Sequence, residues 1–276
     1  MTAPVILWFR QDLRLADNGA VAASVAAGPV LPVYVLDDAA PGRWALGGAA
    51  RWWLHHSLAA LGRDLASRGA PLLLLRGEAV ALIPRLARQT GAAAVHASRQ
   101  YEPWARQRDE MVRQALDAQG RRFILHAGAL LHDPERVRTG AGGFYSVYAP
   151  FARRLLDGGD PPPPLQAPRR ITPLPGVLEG LALEALDLLP RPPVPDWSAE
   201  FGDHWVPGEA GAAARAKTFA QRGLLAYAER RGTPGMEWGT SGFSPHLRHG
   251  EISPTQVWHA ALRAAEGDRG VVEGFL

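Results

Sequence analysis

From Val5 to His126 the chain alternates short apolar, β-branched runs with longer segments of helical period, and this alternation restricts the fold more than any other feature. Continuous apolar strands are covered on both faces, and a strand–helix–strand order joins them in parallel. Residues 5–10 and 30–36 read as the first two strands. A helix over 20–27 lies between them, opened by Asp17 and Asn18 as cap candidates and closed by Gly28-Pro29. Trp53, Leu54, Leu58, Leu61 and Leu65 mark a second helix over 49–67 that stops at Gly69. Strands are also expected at 71–75, 92–97 and 121–126, and helices at 78–89 and 103–118. The expectation is an α/β fold: a doubly wound, five-stranded parallel sheet with four interleaved helices.

The pattern changes after about residue 131. Residues 160–195 are rich in proline, including Pro161, Pro162, Pro163 and Pro164, and read as an interdomain connection rather than a core element. A short helix fits within 180–189. Helical periodicity returns at 210–221, 224–230, 244–248 and 254–265. The division expected is an α/β domain over 1–131, a connector over 132–202 and the start of an all-helical domain over 203–276.

Cysteine is absent, which removes disulfides, thiolate zinc sites and cysteine nucleophiles. The nine histidines show no metal-ligand spacing, and no metal is expected. His55 and His56 are adjacent on a helix and point apart, so at most one is expected to be buried. Lys217 is the only lysine, and the net charge of +3 permits nucleic-acid binding without predicting it. No apolar run reaches the roughly 20 residues of a membrane-spanning helix, and Val5 to Phe9 is too short for a signal peptide. A cytoplasmic protein without a membrane span is expected.

The loop after the first strand, Arg10 to Asn18, is not a glycine-rich phosphate loop, which disfavours a dehydrogenase. Arg10, Asp12, Arg14 and Asp17 alternate in sign, a pattern that serves either a local ion-pair lattice or a ligand face. The residue types favour the lattice. In Gly239-Thr240-Ser241-Gly242-Phe243-Ser244-Pro245 several hydroxyls gather where a helix begins. Ser244 suits an N-cap and Pro245 a first helical position, so the segment is either a capped helix or an anion site.

The string Trp8 to Asn18 resembles the opening motif of the DNA photolyase and cryptochrome family, in its class I, cyclobutane-dimer form. Gly-Thr-Ser-x-x-Ser-Pro, followed by Gly250-Glu251-Ile252-Ser253-Pro254 and Val257-Trp258, is similar to that family's flavin-phosphate segment. Tyr227, Arg231 and Pro234 fit the pattern upstream of it, and 142–151 fits the connecting segment. The matches run in family order along nearly the whole chain.

The resemblance implies a deoxyribodipyrimidine photolyase that holds FAD through Tyr227, Thr240, Ser241, Gly242, Phe243 and Ser244. It implies light-driven repair of cyclobutane pyrimidine dimers extruded from UV-damaged DNA, a DNA-phosphate contact at Arg231, and a monomer at full length. A cryptochrome-type blue-light sensor and a degenerate nucleotide-binding fragment without photochemistry stay open beside it. Residues 101–109 fall where the family builds its antenna pocket, but Trp104 and Ala105 replace the Asn-Glu pair of one folate-binding type. A second, antenna chromophore of unassigned identity is therefore compatible with the sequence.

Four positions depart from the family pattern: Gly242 and Phe243 stand for arginine and leucine, Gly232 for aspartate and His249 for phenylalanine. Gly242 removes a cation and a packing stem beside the implied cofactor. The implied catalytic residues and tryptophan relay lie beyond Leu276, so no catalytic residue is assigned within this chain. The tryptophans at 52, 53, 197, 205, 238 and 258 read as packing residues. With about a quarter of the implied helical domain present, residues from about 203 onward are expected to lack a core of their own. They would then expose apolar faces and be unstable or self-associating, leaving the fragment inactive.

Overall fold

Val5–Phe9 (β1) and Val30–Leu36 (β2) bury every residue, as central strands between two helical layers must. The computed structural model describes residues 2–176, 178–189 and 196–276. Leu73–Arg76 (β3), Ala94–Ser98 (β4) and Arg122–His126 (β5) complete a parallel sheet of order β3-β2-β1-β4-β5. Val5 pairs with Val30 on one side and Ala94 on the other. The chain therefore reverses its winding beside β1, and a crevice opens at the carboxyl ends of β1 and β4.

Gly19–Ala27 (α1), Gly48–Ser67 (α2), Ala79–Thr90 (α3) and Pro103–Asp117 (α4) connect and cover the strands. The two-residue period of β1 divides its side chains. Val5, Leu7 and Phe9 share one core with Leu54, Leu58 and Leu65 of α2, whereas Ile6 and Trp8 share the other with Ile83, Leu86, Val112 and Leu116. Asn18 caps α1, its side chain accepting from the N–H groups of Ala20 and Val21 at 3.0 and 3.2 Å.

The proline-rich stretch does more than connect. Val30 donates to Thr172 O at 2.8 Å and Leu174 donates to Val30 O at 3.0 Å, which draws Ile171 into the first core with Leu186 and Leu188. Proline stiffness favours such an extended run against a sheet. A 3₁₀ turn at Leu183–Leu186 stands where the short helix was expected. The part of the connector at 190–195 lies outside the described residues. Tyr148–Leu156 (α5) is a further helix within the expected connector, and none of its residues is buried.

Phe201–His204 (α6), Glu209–Arg222 (α7), Tyr227–Arg230 (α8), Ser244–His249 (α9), Pro254–Ala264 (α10) and Arg269–Val272 (α11) follow. Against expectation, these helices do bury a small core: Phe219, Leu224, Phe243, Ala261, Ala265 and Val272. Aromatic side chains make this core possible with few residues, because each ring buries a large area. Val206, Leu225, Met236 and Val271 nevertheless stay exposed. Among the described residues no helix is long and apolar enough to cross a membrane.

One polar pair joins β4 and β5. His96 on β4 stacks on His126 of β5, with His96 Nδ1 and His126 Nε2 sharing a hydrogen bond at 2.9 Å. Burial, then the charge of His126, pushes the His96 pKa down to about 4, and burial lowers that of His126. Both rings are thus folded in their neutral form. Stability is intact above the ordinary histidine range near 6.5 and falls as pH drops towards 4, because the unfolded chain takes up protons that the folded chain refuses. Thermal melts from pH 7 to 4 are expected to fall more steeply for the wild type than for His96→Gln.

Candidate functional site

The loop between β1 and α1 is buried between the sheet and the helices beyond residue 203, so each of its polar groups needs a protein partner. Arg10 donates through Nη1 to both oxygens of Asp109, at 2.6 and 2.7 Å, and through Nη2 to Ser98 O. Arg108 also donates to Asp109, at 2.7 Å, and to Gln100 at 2.7 Å. Both guanidiniums lie over the Trp8 ring, at 4.9 and 4.8 Å from its centroid. Burial lowers the pKa of Arg10, opposed by the charge of Asp109. Two cations on one carboxylate leave this corner positive.

The remaining loop charges face the helical part. Arg14 donates to the carbonyls of Asp17, Gly128 and Gly250, at 2.8, 2.9 and 3.0 Å. Asp12 accepts from Arg10 N at 2.7 Å, and Asp17 accepts from the Ser253 hydroxyl. Glu209, at the start of α7, accepts from Leu15 N and Ala16 N at 2.7 and 2.9 Å. Burial raises the Glu209 pKa, and those two N–H groups partly offset it. The charge pattern of the loop therefore clamps two parts of the chain together.

Glu251 forms the second clamp. Its carboxylate accepts from Trp53 Nε1 of α2 at 2.9 Å, from Gly208 N at 2.7 Å and from His246 Nδ1 of α9 at 2.5 Å. Gly250, at φ +69°, makes this approach possible: a Cβ there would run into the backbone of Gln11 and Asp12. With that Cβ absent, Leu13 N reaches His249 O at 3.1 Å. Neither Glu209 nor Glu251 was singled out for such a role from sequence, since an isolated glutamate carries no local mark of a distant partner.

Two cavities open at the carboxyl ends of the strands. A small one of about 80 Å³ lies by β1 and β2 against Trp8, Arg10, Trp44, Trp104 and Arg108. Trp8 Nε1 and Arg10 Nε have no partner among the described residues. A larger one of about 460 Å³ lies at the winding reversal, lined by Arg14, Ser98, Tyr101 and Ile252. Gln11, Gln100 and Arg248 border both.

The segment 239–244 runs into the start of α9. Thr240 and Ser244 are exposed, Ser241 and Gly242 half-buried. Phe243 turns its ring into the helical core, edge-on to Phe219 at 6.0 Å, so it meets a ligand through its backbone only. Tyr227 packs on the same Phe219 at 6.2 Å, which brings α8 and this segment together. Arg231 is exposed, 5.6 Å over the Tyr227 ring. The expected cap is not formed: α9 is six residues long, begins at Ser244 itself and has no side-chain cap. The donors this segment presents are therefore hydroxyls and a nearby arginine rather than a helix terminus. That arginine, Arg215 of α7, donates through Nε to Ser241 O at 2.8 Å. A faint signal did exist in the sequence, because positions 211, 212, 218 and 219 around it carry no acid.

Residues 5–169 match the family described as DNA photolyase. The chain is 43% identical over 260 residues to the deoxyribodipyrimidine photo-lyase of Agrobacterium fabrum, covering 94% of this chain and 53% of that protein. It is 33% identical over 262 residues to cryptochrome-1 of Arabidopsis thaliana, covering 92% and 37%. The chain spans about half the length, or less, of these relatives. A bacterial class III photolyase from Agrobacterium tumefaciens superposes with a TM-score of 0.92 at 41% identity, over 100% of this chain and 56% of that one. An archaeal photolyase from Sulfolobus tokodaii, solved with two FAD molecules, shares the fold with a TM-score of 0.74 at 19% identity, over 98% and 56%.

Removing the Glu251 carboxylate would strand three buried donors. Glu251→Ala is expected to cost about 3–5 kcal/mol, and Glu251→Gln, which keeps an acceptor for Trp53 and Gly208, about 1–3 kcal/mol. Urea unfolding of the two variants beside the wild type measures both.

Proposed function

The chain belongs to the DNA photolyase family, and on that premise we propose that the complete protein is a deoxyribodipyrimidine photolyase: a cytoplasmic, monomeric flavoprotein that repairs cyclobutane pyrimidine dimers in UV-damaged DNA under light. The observation that carries this reading is the sequence likeness to named photolyases along almost the whole chain, 43% over 260 residues. The cytoplasm is where such a protein meets chromosomal DNA. In this reading the complete protein divides into an α/β domain over 1–131, a connector over 132–202 and a helical cofactor domain that starts at 203.

The residues fit the phosphate end of FAD. Thr240, Ser241 and Ser244 offer hydroxyl donors, Gly242 and Phe243 offer backbone, and Tyr227 closes the side of the loop nearest Phe219. Bound FAD would supply the light-driven electron chemistry. What these residues themselves do is hold and orient its phosphates with neutral donors and exclude acidic groups from the loop. In this reading Arg231, exposed at the end of α8, is the cation that contacts a DNA phosphate.

A second, antenna chromophore is part of the proposal, its identity open. The cavity beside Trp8 is far below the roughly 300–1,000 Å³ of ordinary ligand pockets. Such a chromophore would therefore also use the neighbouring cavity across Gln11, Gln100 and Arg248, or displace the exposed Trp44.

The first test is the visible absorption spectrum of the purified chain after FAD addition and gel filtration. A retained flavin band is expected if the loop suffices. No band would mean that the cofactor needs helices beyond residue 276, or that this is a degenerate fragment; the same spectrum of the complete protein separates the two. For the complete protein, light-dependent loss of cyclobutane dimers from an irradiated oligonucleotide is expected, whereas flavin photoreduction without repair would favour the cryptochrome-type sensor, a class the chain also resembles. Arg231→Ala is expected to weaken DNA binding across sequences and to lower the salt slope by about 1.

A further inference from the structure

Gly242 leaves the loop without a side chain at its centre, and the space is occupied from elsewhere. The residue sits at φ +63°, and a Cβ built on it would fall on the guanidinium of Arg215. Arg215 reaches this place from the middle of α7. Its Nε–H donates to Ser241 O at 2.8 Å, and its guanidinium carbon lies 4.7 Å from the Trp205 ring centroid and 5.3 Å from that of Trp238.

A guanidinium held between two indoles is fixed in direction. No carboxylate pairs with Arg215 among the described residues, unlike Arg10, Arg51 or Arg113, each of which meets an acid. The nearest acid in sequence to the loop, Glu237, accepts from Trp238 Nε1 at 2.9 Å. Among the described residues the two Nη groups have no protein acceptor, and they are not sealed from solvent. Burial lowers the pKa of Arg215 with no acid to offset it. A half-buried cation with four N–H bonds free among the described residues, against the backbone of Ser241 and Gly242 in a segment that carries the hydroxyls of Thr240, Ser241 and Ser244, has the donor chemistry of a phosphate contact.

We propose that Arg215 is the cation of the 239–244 loop, using Nε to fix the Ser241 carbonyl and its Nη groups to hold a phosphate of the ligand. The positive charge that the family pattern places at residue 242 has in this chain a source on α7, and glycine at 242 is what gives it room. This rests on the reading of the loop as the flavin-phosphate segment, and it adds a binding residue to that reading.

The test is the thermal melting of the chain in sodium pyrophosphate against sodium chloride of equal ionic strength, for the wild type, Arg215→Gln, Arg215→Lys and the loop variant Thr240→Ala/Ser244→Ala. The wild type is expected to gain stability in pyrophosphate beyond the chloride control, with the apparent affinity falling roughly tenfold or more in Arg215→Gln and less in Arg215→Lys. Each variant is compared with its own chloride baseline, so a purely structural role for Arg215 would lower that baseline and leave the pyrophosphate shift in place. A shift that survives Arg215→Gln but is lost in the loop variant would overturn the role of Arg215 and leave the loop reading standing. No shift in the wild type, or a shift that survives every variant, would overturn both.

Discussion

A polar loop buried between two parts of a chain must find all its partners within the protein, and the segment from Arg10 to Asn18 is built around that requirement. Apart from Arg10 Nε, which faces the small cavity, its carboxylates and guanidiniums and the N–H groups of Leu15 and Ala16 find partners on β4, α4, α7 and the turn after α9. Because those partners come from positions up to 236 residues away, the loop joins the α/β sheet to the helices rather than decorating the sheet. Glu251 repeats the device from the other side, gathering Trp53, Gly208 and His246 on one carboxylate. The placement of the 239–244 segment follows from these contacts, since α9 and the turn at Gly250 lie directly after it.

The second constraint is charge. Lysine is almost absent, and arginine serves wherever a buried cation is needed. Arginine suits the role because its guanidinium stays protonated on burial, is less strongly hydrated than an ammonium and stacks on aromatic faces. Arg10 and Arg108 over Trp8, and Arg215 between Trp205 and Trp238, use the same arrangement in two places. In the first the charge is answered by Asp109. In the second no carboxylate answers it, and that difference separates a structural cluster from one that can take an anion.

Most of the sheet was legible in the sequence because fully buried parallel strands are apolar at every position, as 5–9 and 30–36 are. Periodicity marks the helices α2, α3 and α4; α5 carries Tyr148, Phe151, Leu155 and Leu156 at helical spacing too, although none of its residues is buried. The connector differs in part from its sequence expectation: proline signals stiffness but not what the stiff segment lies against, and Ile171 and Leu188 are core. Likewise Ser244-Pro245 has the residue types of a capped helix start, but the turn before it places Phe243 in a helical conformation and leaves no side chain at the cap.

By itself the sequence determined the α/β class, the order of strands and helices, the absence of cysteine chemistry and the likeness to light-driven DNA repair proteins. These are properties of local pattern and of ordered motifs, which survive in one dimension. Only the tertiary structure decided that the alternating charges after β1 are a clamp, that Phe243 is core while Thr240 and Ser244 are open, and that Arg215 stands over Gly242. Each of those depends on which surfaces meet across tens or hundreds of residues, and a buried charge is defined by the partner it meets there, not by its neighbours in sequence.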